Sequence, residues 1–130
     1  MGLDLDSYFN LHAQALQLRD KRSSQIANNL ANTNTPNYKA KDIDFGTTLQ
    51  SYLQGSAQHM NTTSAQHISG GADFATQLKY RIPSQSSLDG NTVDKNLETA
   101  AFTKNALDYQ ASLSFLDGKI KSVIKAFRGE

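Results

Sequence analysis

The sequence predicts a mainly α-helical fold, in which long N- and C-terminal helices pair as a coiled-coil-like hairpin beside a small, loop-rich middle segment with short β-strands. Apolar residues near the C-terminus recur at alternating steps of four and three, and a weaker copy of this pattern occupies the N-terminal part. Such steps average 3.5 residues and place side chains along one face of a helix. Both prolines lie between the two patterns. We therefore divide the chain into an N-terminal helix (1–32), a middle segment (33–91) and a C-terminal helix (92–130).

The N-terminal helix is predicted from about Leu3 to Leu30, and no proline or glycine interrupts it. Asp4, Asp6 and Ser7 suit its first turn, where side-chain oxygens bond free backbone N–H groups and negative charge complements the helix dipole. Three of its eight regularly spaced positions are polar, so its apolar face is the weaker one. The apolar positions that we expect to contact another helix are Leu5, Phe9, Leu16, Ile26 and Leu30.

The middle segment is rich in Ser, Thr, Asn, Gln and Gly. Residues 35–38 read Thr-Pro-Asn-Tyr and predict a β-turn, because proline suits its second position and asparagine tolerates a left-handed conformation. Residues 45–53 predict a short helix. The alternating pattern over 77–82 predicts one strand that ends before Pro83. A second turn is predicted at 89–90, which read Asp-Gly.

The C-terminal helix is predicted from Asn91 or Thr92, either of which can cap it, to about Phe127. Basic residues crowd its last turns, which complements the negative end of the helix dipole. Its eight regularly spaced positions are all apolar, and we expect them to face another helix. These positions are Phe102, Ala106, Tyr109, Leu113, Leu116, Ile120, Val123 and Phe127.

The two helices are long for the amount of apolar sequence around them. A mean globular helix has about 11–12 residues, and the polar middle segment cannot cover two helices of roughly three times that length. Apolar residues make up 38% of the chain, below the roughly 45–50% of a typical domain. We therefore expect partner chains to bury the apolar faces. We also expect the isolated chain to be marginally stable with frayed ends, because an uncovered face does not offset ordering entropy.

Composition and motif content exclude several functional classes. With 13 basic and 12 acidic residues, the chain lacks the basic footprint of a nucleic-acid or membrane binder. It has no cysteine, its three histidines are widely separated, and no apolar run approaches the roughly 18 residues of a membrane span. Helix capping explains the acid pair Asp42 and Asp44, and no nucleophile motif is present. We predict no enzymatic activity, no catalytic residue, no cofactor and no metal site.

The charged residues 19–22, Arg-Asp-Lys-Arg, lie within the N-terminal helix. A solvated helix face is the expected role of such a cluster, since charged side chains on a helix usually point to water. An interchain salt bridge is the functional alternative. The acidic N-terminus also differs from a secretory signal, which would carry positive charge there.

Residues 26–40 carry a recognisable motif, Ile-Ala-Asn-Asn-Leu-Ala-Asn-Thr-Asn-Thr-Pro-Asn-Tyr-Lys-Ala. It resembles the signature of bacterial flagellar axial proteins, the family of rod, hook and hook-associated proteins, which reads roughly Asn-Ile/Leu-Ala-Asn, two residues, Thr-Pro-Gly-Tyr-Lys. Asn37 stands where the family usually has glycine, and since both residues tolerate a positive φ we expect the turn to be retained. The matching positions are Asn29, Leu30, Ala31, Asn32, Thr35, Pro36, Asn37, Tyr38 and Lys39.

Later segments, and the length of the chain, resemble the proximal rod members of this family. The matching segments are 41–45, 78–83, 87–94 and 105–110, so the resemblance spans nearly the whole chain and is weakest over 54–76. It implies a structural subunit of the proximal rod that polymerises through its terminal helices. Such a subunit would transmit motor torque, form the wall of the export channel and be required for motility.

The resemblance also implies partners and a location. The expected partners are other copies of the chain, the rod proteins FlgC and FlgF, and FliE with the export gate at the base. Nucleic acid, a small-molecule substrate and direct membrane insertion are not expected. The implied location is the rod in the periplasmic space, after export by the flagellar type III system without a cleaved signal peptide. Phe45 and Leu49 resemble the gate-recognition pattern of the family, a phenylalanine followed four positions later by an apolar residue.

Two alternatives remain open at this point. One is the neighbouring rod protein FlgC, against which the segment 91–109 argues. The other belongs to a different class, a soluble type III export chaperone that binds a partner helix in a groove. A chaperone should be a stable folded dimer, whereas a rod subunit should have mobile ends.

Overall fold

The computed structural model describes residues 5–53, 78–83 and 87–129. In this part of the chain the elements are α1 (Leu5–Ala31), β1 (Lys41–Ile43), α2 (Phe45–Leu53), β2 (Leu78–Tyr80) and α3 (Lys95–Arg128). The long helices α1 and α3 pack against each other. With 27 and 34 residues, they are about 40 and 51 Å long at 1.5 Å per residue. The predicted fold class is confirmed, and α2 has the bounds that the sequence predicted.

The C-terminal end of α1 is closed by the polar residues that follow it. The hydroxyl of Thr33 donates to the carbonyl of Leu30 at 2.7 Å, which satisfies one of the carbonyls that a helix leaves free at its end. The predicted β-turn comes next, and the Tyr38 N–H donates to the Thr35 carbonyl at 3.3 Å. Asn37 has a φ of 61°, and in the described residues it is the one non-glycine residue with a positive φ. The expectation that asparagine retains this turn is confirmed.

The N-terminal end of α3 differs from the prediction. Asp94 is the capping residue, and its side chain accepts hydrogen bonds from the N–H groups of Asn96 and Leu97 at 2.9 and 3.2 Å. The predicted caps Asn91 and Thr92 are wrong, because their side chains bond the segment after α1 instead. All three residue types can cap a helix, so the choice depends on contacts distant in sequence.

The two strands form a small antiparallel sheet. Its register pairs Lys41 with Tyr80, Asp42 with Lys79 and Ile43 with Leu78. The sequence predicted a strand over 77–82, of which residue 77 lies outside the described part, but it did not locate β1. The three residues of β1, Lys-Asp-Ile, carry no alternating apolar pattern that would have revealed it.

The buried core is small, and most of it lies where α1 ends and α3 begins. The buried apolar side chains of the described residues are Ala15, Leu18, Ile26, Ala40 and Ile43. An equal number of polar side chains is buried with them, namely Asn29, Thr48, Asn91, Glu98 and Asn105. Such a core depends on hydrogen bonds as much as on apolar burial. Within the part of the chain that the structure describes, no helix is both long and apolar enough to cross a membrane.

Candidate assembly interface

Over residues 98–112, the face of α3 that contacts α1 is polar. Glu98 and Asn105 are buried on this face, and Asp108 and Ser112 continue it at steps of three and four. Arg19 of α1 donates to Asp108 at 2.9 Å and to Ser112 at 3.2 Å, while the amide of Asn105 donates to the Arg19 carbonyl at 2.9 Å. The two long helices therefore meet through hydrogen bonds and an ion pair over these turns.

The apolar series of α3 lies beside this contact and remains largely uncovered. Its large side chains Phe102, Tyr109, Leu113, Ile120 and Phe127 are between 39% and 73% exposed. Ala106 is also exposed, whereas Leu116 and Val123 are half-buried. These two lie 18 residues, or five helical turns, after Glu98 and Asn105, so they continue the face towards α1. Isolated apolar residues on a surface are common, but a contiguous apolar series along a helix indicates an interaction surface.

The predicted apolar positions of α1 divide between two environments. Ile26 is fully buried, whereas Phe9, Leu16 and Leu30 are half-buried. The side chain of Leu5 lies outside the described residues. Sequence spacing identified the helix, but the fully buried face of α1 also includes Ala15 and Leu18, which the predicted set omitted.

The half-buried residues of α1 and the exposed series of α3 share one side of the hairpin. Leu30 follows Ile26 by four positions, as Phe102 and Tyr109 follow Glu98 and Asn105. A step of four residues turns about 40° in the same sense around each helix axis, and in an antiparallel pair this places both sets on the same side. We call this side the apolar flank. It comprises Phe9, Leu16, Leu30, Phe102, Ala106, Tyr109, Leu113, Ile120 and Phe127.

The opposite side of α1 is covered by the middle segment. Arg22 binds Asp42 of β1 through two hydrogen bonds of 3.0 and 2.9 Å. The amide of Asn29 donates to the Lys41 carbonyl at 2.8 Å, and its oxygen accepts from the Lys41 N–H at 3.3 Å. Asn29 thus occupies the free edge of β1 with a side chain. The sheet and α2 lie on the side of the hairpin away from the apolar flank.

The signature motif holds this junction together. The Asn29 oxygen also accepts a hydrogen bond from the Tyr38 hydroxyl at 3.3 Å, so the first and last parts of the motif are bonded to each other. Lys39 donates to the Gly90 carbonyl at 2.6 Å, and the Tyr38 carbonyl accepts from the Thr92 N–H at 3.0 Å. The remaining motif positions, Ala31, Thr35, Pro36 and Asn37, are exposed, and Leu30 and Asn32 are half-buried.

The sequence did not reveal Asn91 as a partner of this motif. Its buried amide donates to the carbonyls of Asn32 and Thr33 at 3.0 and 2.8 Å, and its oxygen accepts from the Val93 N–H at 2.8 Å. Gly90 has a φ of 72°, and a Cβ there would lie 2.5 Å from the Asn37 side-chain oxygen. The only sequence signal was the Asp-Gly turn, which placed the glycine but not the long-range bonds.

Four charged side chains join α1, β1, the residue that follows β2, and α3. Arg81 donates to Asp42 at 2.8 Å and pairs with Glu98 at 3.0 Å, and Asp42 is also bound by Arg22. With two positive and two negative groups the cluster is neutral, which limits the cost of burying it. We call Arg22, Asp42, Arg81 and Glu98 the ionic quartet.

The two acids of the ionic quartet have pKa values shifted in opposite directions. Burial favours protonation of Asp42, but its hydrogen bonds from Arg22 and the charge of Arg81 outweigh burial and lower its pKa. Burial raises the pKa of Glu98, and hydrogen bonding by Asn29 and the charge of Arg81 only partly oppose it. One oxygen of Glu98 is buried without a hydrogen-bond partner in the described residues, which agrees with the raised value.

The charged residues 19–22 are not simply a solvated face. Arg19 and Arg22 make the intramolecular ion pairs described above, so the prediction is wrong for these two residues. The Arg19 guanidinium also lies 4.2 Å from the centre of the Phe45 ring. Phe45 and Leu49, the predicted export pair, are both half-buried in α2.

Asp44, the second acid of the pair Asp42 and Asp44, has a structural role directly before α2. Asp44 accepts hydrogen bonds from Lys79 at 2.8 Å and from the Thr47 N–H at 3.3 Å. These contacts lower the pKa of Asp44 to about 2. Over residues 5–53, 78–83 and 87–129, no group of three or more His, Asp or Glu side chains is placed to hold a metal ion.

Comparison with known proteins places this arrangement in a family. The family model for flagella basal body rod proteins matches residues 9–39, which include most of α1 and the motif turn. The flagellar basal body rod protein FlgB of Escherichia coli K12 is 42% identical over 95% of both chains. FlgB of Aeromonas hydrophila is 38% identical over 100% of this chain and 99% of its own. FlgB of Cereibacter sphaeroides is 43% identical over 92% of this chain and 93% of its own.

Proposed function

Because the chain belongs to the FlgB family of flagellar basal body rod proteins, we propose that it is a proximal rod subunit that polymerises through its apolar flank. Membership gives it a structural role in the rod of the flagellar basal body, together with other rod components. The relatives are named as rod proteins, which fits a non-enzymatic role. Their names agree neither with FlgC nor with an export chaperone, the two alternatives that the sequence left open.

The exposed apolar flank is the observation that supports this proposal. The hairpin buries a polar face between its helices and keeps an apolar series along α3 in water. Covering this series with helices of other subunits would remove apolar surface from water, the main favourable term in protein association. Contacts in which different faces of identical subunits meet do not close on themselves and therefore build a filament.

The finer features of this role follow from the family resemblance. The rod would transmit motor torque and its inner helices would form the wall of the export channel. FlgC and FlgF are the proposed rod neighbours, with FliE and the export gate at the base. The subunit would reach the periplasmic space through the flagellar type III system without a cleaved signal.

Single charges on the apolar flank test the assembly proposal. We expect Ile120→Asp to abolish rod assembly and swimming while secretion of the subunit continues, because a carboxylate in an apolar interface is costly to desolvate. The control is Gln110→Asp, which adds the same charge at an exposed position of α3 away from the flank. Swimming and isolated basal bodies are scored together with secreted subunit. Normal swimming of the Ile120 variant would contradict the interface.

The proposed export role of Phe45 and Leu49 is tested separately. We expect Phe45→Ala to lower the ratio of secreted to intracellular subunit, because the gate would lose the aromatic contact. Gln50→Ala, at an exposed position of α2, serves as the control. Equal secretion of both variants would remove Phe45 from the export signal without affecting the assembly proposal.

A further inference from the structure

The β2 strand and the two residues after it have an unusual orientation. Lys79 and Arg81 direct their charges to acids within the protein, at 2.8 Å from Asp44 and Asp42 respectively, and Arg81 also pairs with Glu98 at 3.0 Å. The alternate residues are apolar and face water. Leu78, Tyr80 and Ile82 are 47%, 68% and 94% exposed.

Apolar burial therefore contributes little to holding this segment in place. Its backbone is bonded to β1, and the Arg81 N–H donates to the Ala40 carbonyl at 2.9 Å. A two-stranded ladder of this length is at best marginally stable by itself. The segment needs further attachment, and its charged side chains supply it.

Of the two charged side chains, Arg81 makes the stronger attachment. The Lys79–Asp44 pair is largely exposed, and exposed ion pairs contribute little to stability. Arg81 instead joins two carboxylates through different guanidinium nitrogens, and its partner Glu98 is 1% exposed. Removal of Arg81 would leave Glu98 with a buried charge and no cation bonded to it, whereas Asp42 would keep Arg22.

We propose that residues 78–82 form a strap that is held on β1 and α3 chiefly by Arg81 and that opens as a unit while α1 and α3 remain paired. The α1–α3 contacts through Arg19, Asn105 and Asp108 do not involve the strap, so they persist when it opens. Opening uncovers the hydrogen-bonding edge of β1 and leaves the Arg22–Asp42 pair intact.

Native-state amide exchange followed by NMR on the full chain tests this proposal. The reporter is the protection factor of the amide at position 81, compared with those of Ile26 in α1 and Asn105 in α3. The main variant is the double substitution Arg81→Gln with Glu98→Gln, which removes the ion pair without leaving an unpaired buried charge. Ile82→Ser and Lys79→Gln are the matched controls in the same segment.

In the double variant we expect protection at position 81 to fall at least tenfold, with Ile26 and Asn105 changed less than twofold. Ile82→Ser should have no effect, and Lys79→Gln a smaller one than the double variant. Unchanged protection at position 81 would overturn the role of Arg81. An equal fall at all three amides would overturn opening as a separate unit.

A second variant covers the case in which the double variant does not fold. Arg81→Lys keeps the charge, but an ammonium group lacks the planar fork that binds two carboxylates at once. We expect a smaller fall in protection that is again confined to position 81. Wild-type protection at this position would contradict the proposal.

Discussion

Replacement of Asn91 by alanine should lower the free energy of unfolding by more than the loss of one hydrogen bond would, because its side chain makes three. The amide donates to the carbonyls of Asn32 and Thr33, and the oxygen accepts from the Val93 N–H. The Asn32 carbonyl keeps a second hydrogen bond from the Thr35 N–H. The substitution therefore leaves two groups without these partners, the Thr33 carbonyl and the Val93 N–H. A buried polar group left without a hydrogen bond costs about 1–3 kcal/mol.

Thr33 and Val93 are half-buried, so water can approach their unpaired backbone groups once the Asn91 side chain is shortened. The free-energy cost of each unpaired group therefore falls in the lower part of that range. We expect the free energy of unfolding to decrease by about 2–3 kcal/mol. The measurement is a urea titration followed by circular dichroism. The free energy of unfolding is calculated from the midpoint and the slope of its dependence on urea, which we expect to be unchanged. Asn96→Ala is the matched control, because this exposed side chain should change the same quantity by less than about 0.5 kcal/mol.

A second substitution at the same position separates donors from acceptor. Asn91→Asp keeps an oxygen for the Val93 N–H but loses both N–H donors and places a carboxylate beside two carbonyl oxygens. We expect it to lose at least as much stability as the alanine variant at neutral pH. Losses at position 91 within about 0.5 kcal/mol of the Asn96 control would refute the idea that Asn91 holds the end of α1.

Gly90→Ala should lower stability by about 1–2 kcal/mol, since φ is 72° and the new Cβ would lie 2.5 Å from the Asn37 side-chain oxygen. Gly118→Ala, whose Cβ would have nothing within 4 Å, should raise stability by about 0.5–1 kcal/mol. Asn105→Leu should keep or increase stability, by up to about 1 kcal/mol, because one buried oxygen of Asn105 has no partner in the described residues; a clear loss in urea would contradict this. The lowered pKa of Asp42 means that its contribution exists above about pH 4 and is lost as the pH falls through the folded value, so Asp42→Asn should flatten that acid loss. The pKa of Glu98 is raised, so the protein loses stability as the pH rises through the folded pKa and Glu98 becomes charged. The free energy of unfolding of Glu98→Gln, relative to the wild type, should therefore be higher at pH 7 than at pH 4. Urea titrations of each variant and the wild type, extended below about pH 4 for Asp42 and made at pH 4 and pH 7 for Glu98, check the direction of both changes in stability.

Sequence patterns correctly predicted the features that depend on residues close together in the sequence. The 3.5-residue spacing located both long helices, and the Pro-Asn pair at 36–37 predicted a turn whose asparagine does have a positive φ. The same patterns failed where distant residues choose between equivalent options. Asp94 caps α3 because Asn91 and Thr92 are occupied by the segment after α1.

Periodicity also could not show which face of α3 meets α1. The apolar series was the most regular pattern in the sequence, yet over residues 98–112 the contact face carries Glu98, Asn105, Asp108 and Ser112. Of the series, the half-buried Leu116 and Val123 continue this face. The ionic quartet left no sequence signal either, because Arg22, Asp42 and Glu98 lie on three different elements and Arg81 follows a fourth, β2. An ion pair between residues far apart in sequence has no periodicity to detect.

A polar contact between the helices and an apolar flank outside it are two consequences of one constraint. If α3 turned its apolar series towards α1, the hairpin would be more stable alone, but little apolar surface would be left for other subunits. Hydrogen bonds between Asn105, Arg19 and Asp108 instead give the pair a defined alignment at some cost in stability, as polar residues do in coiled-coil seams. The apolar surface that this arrangement leaves in water can then drive association. In this chain the stability of the isolated hairpin and the affinity of the proposed interface therefore compete for the same residues of α3.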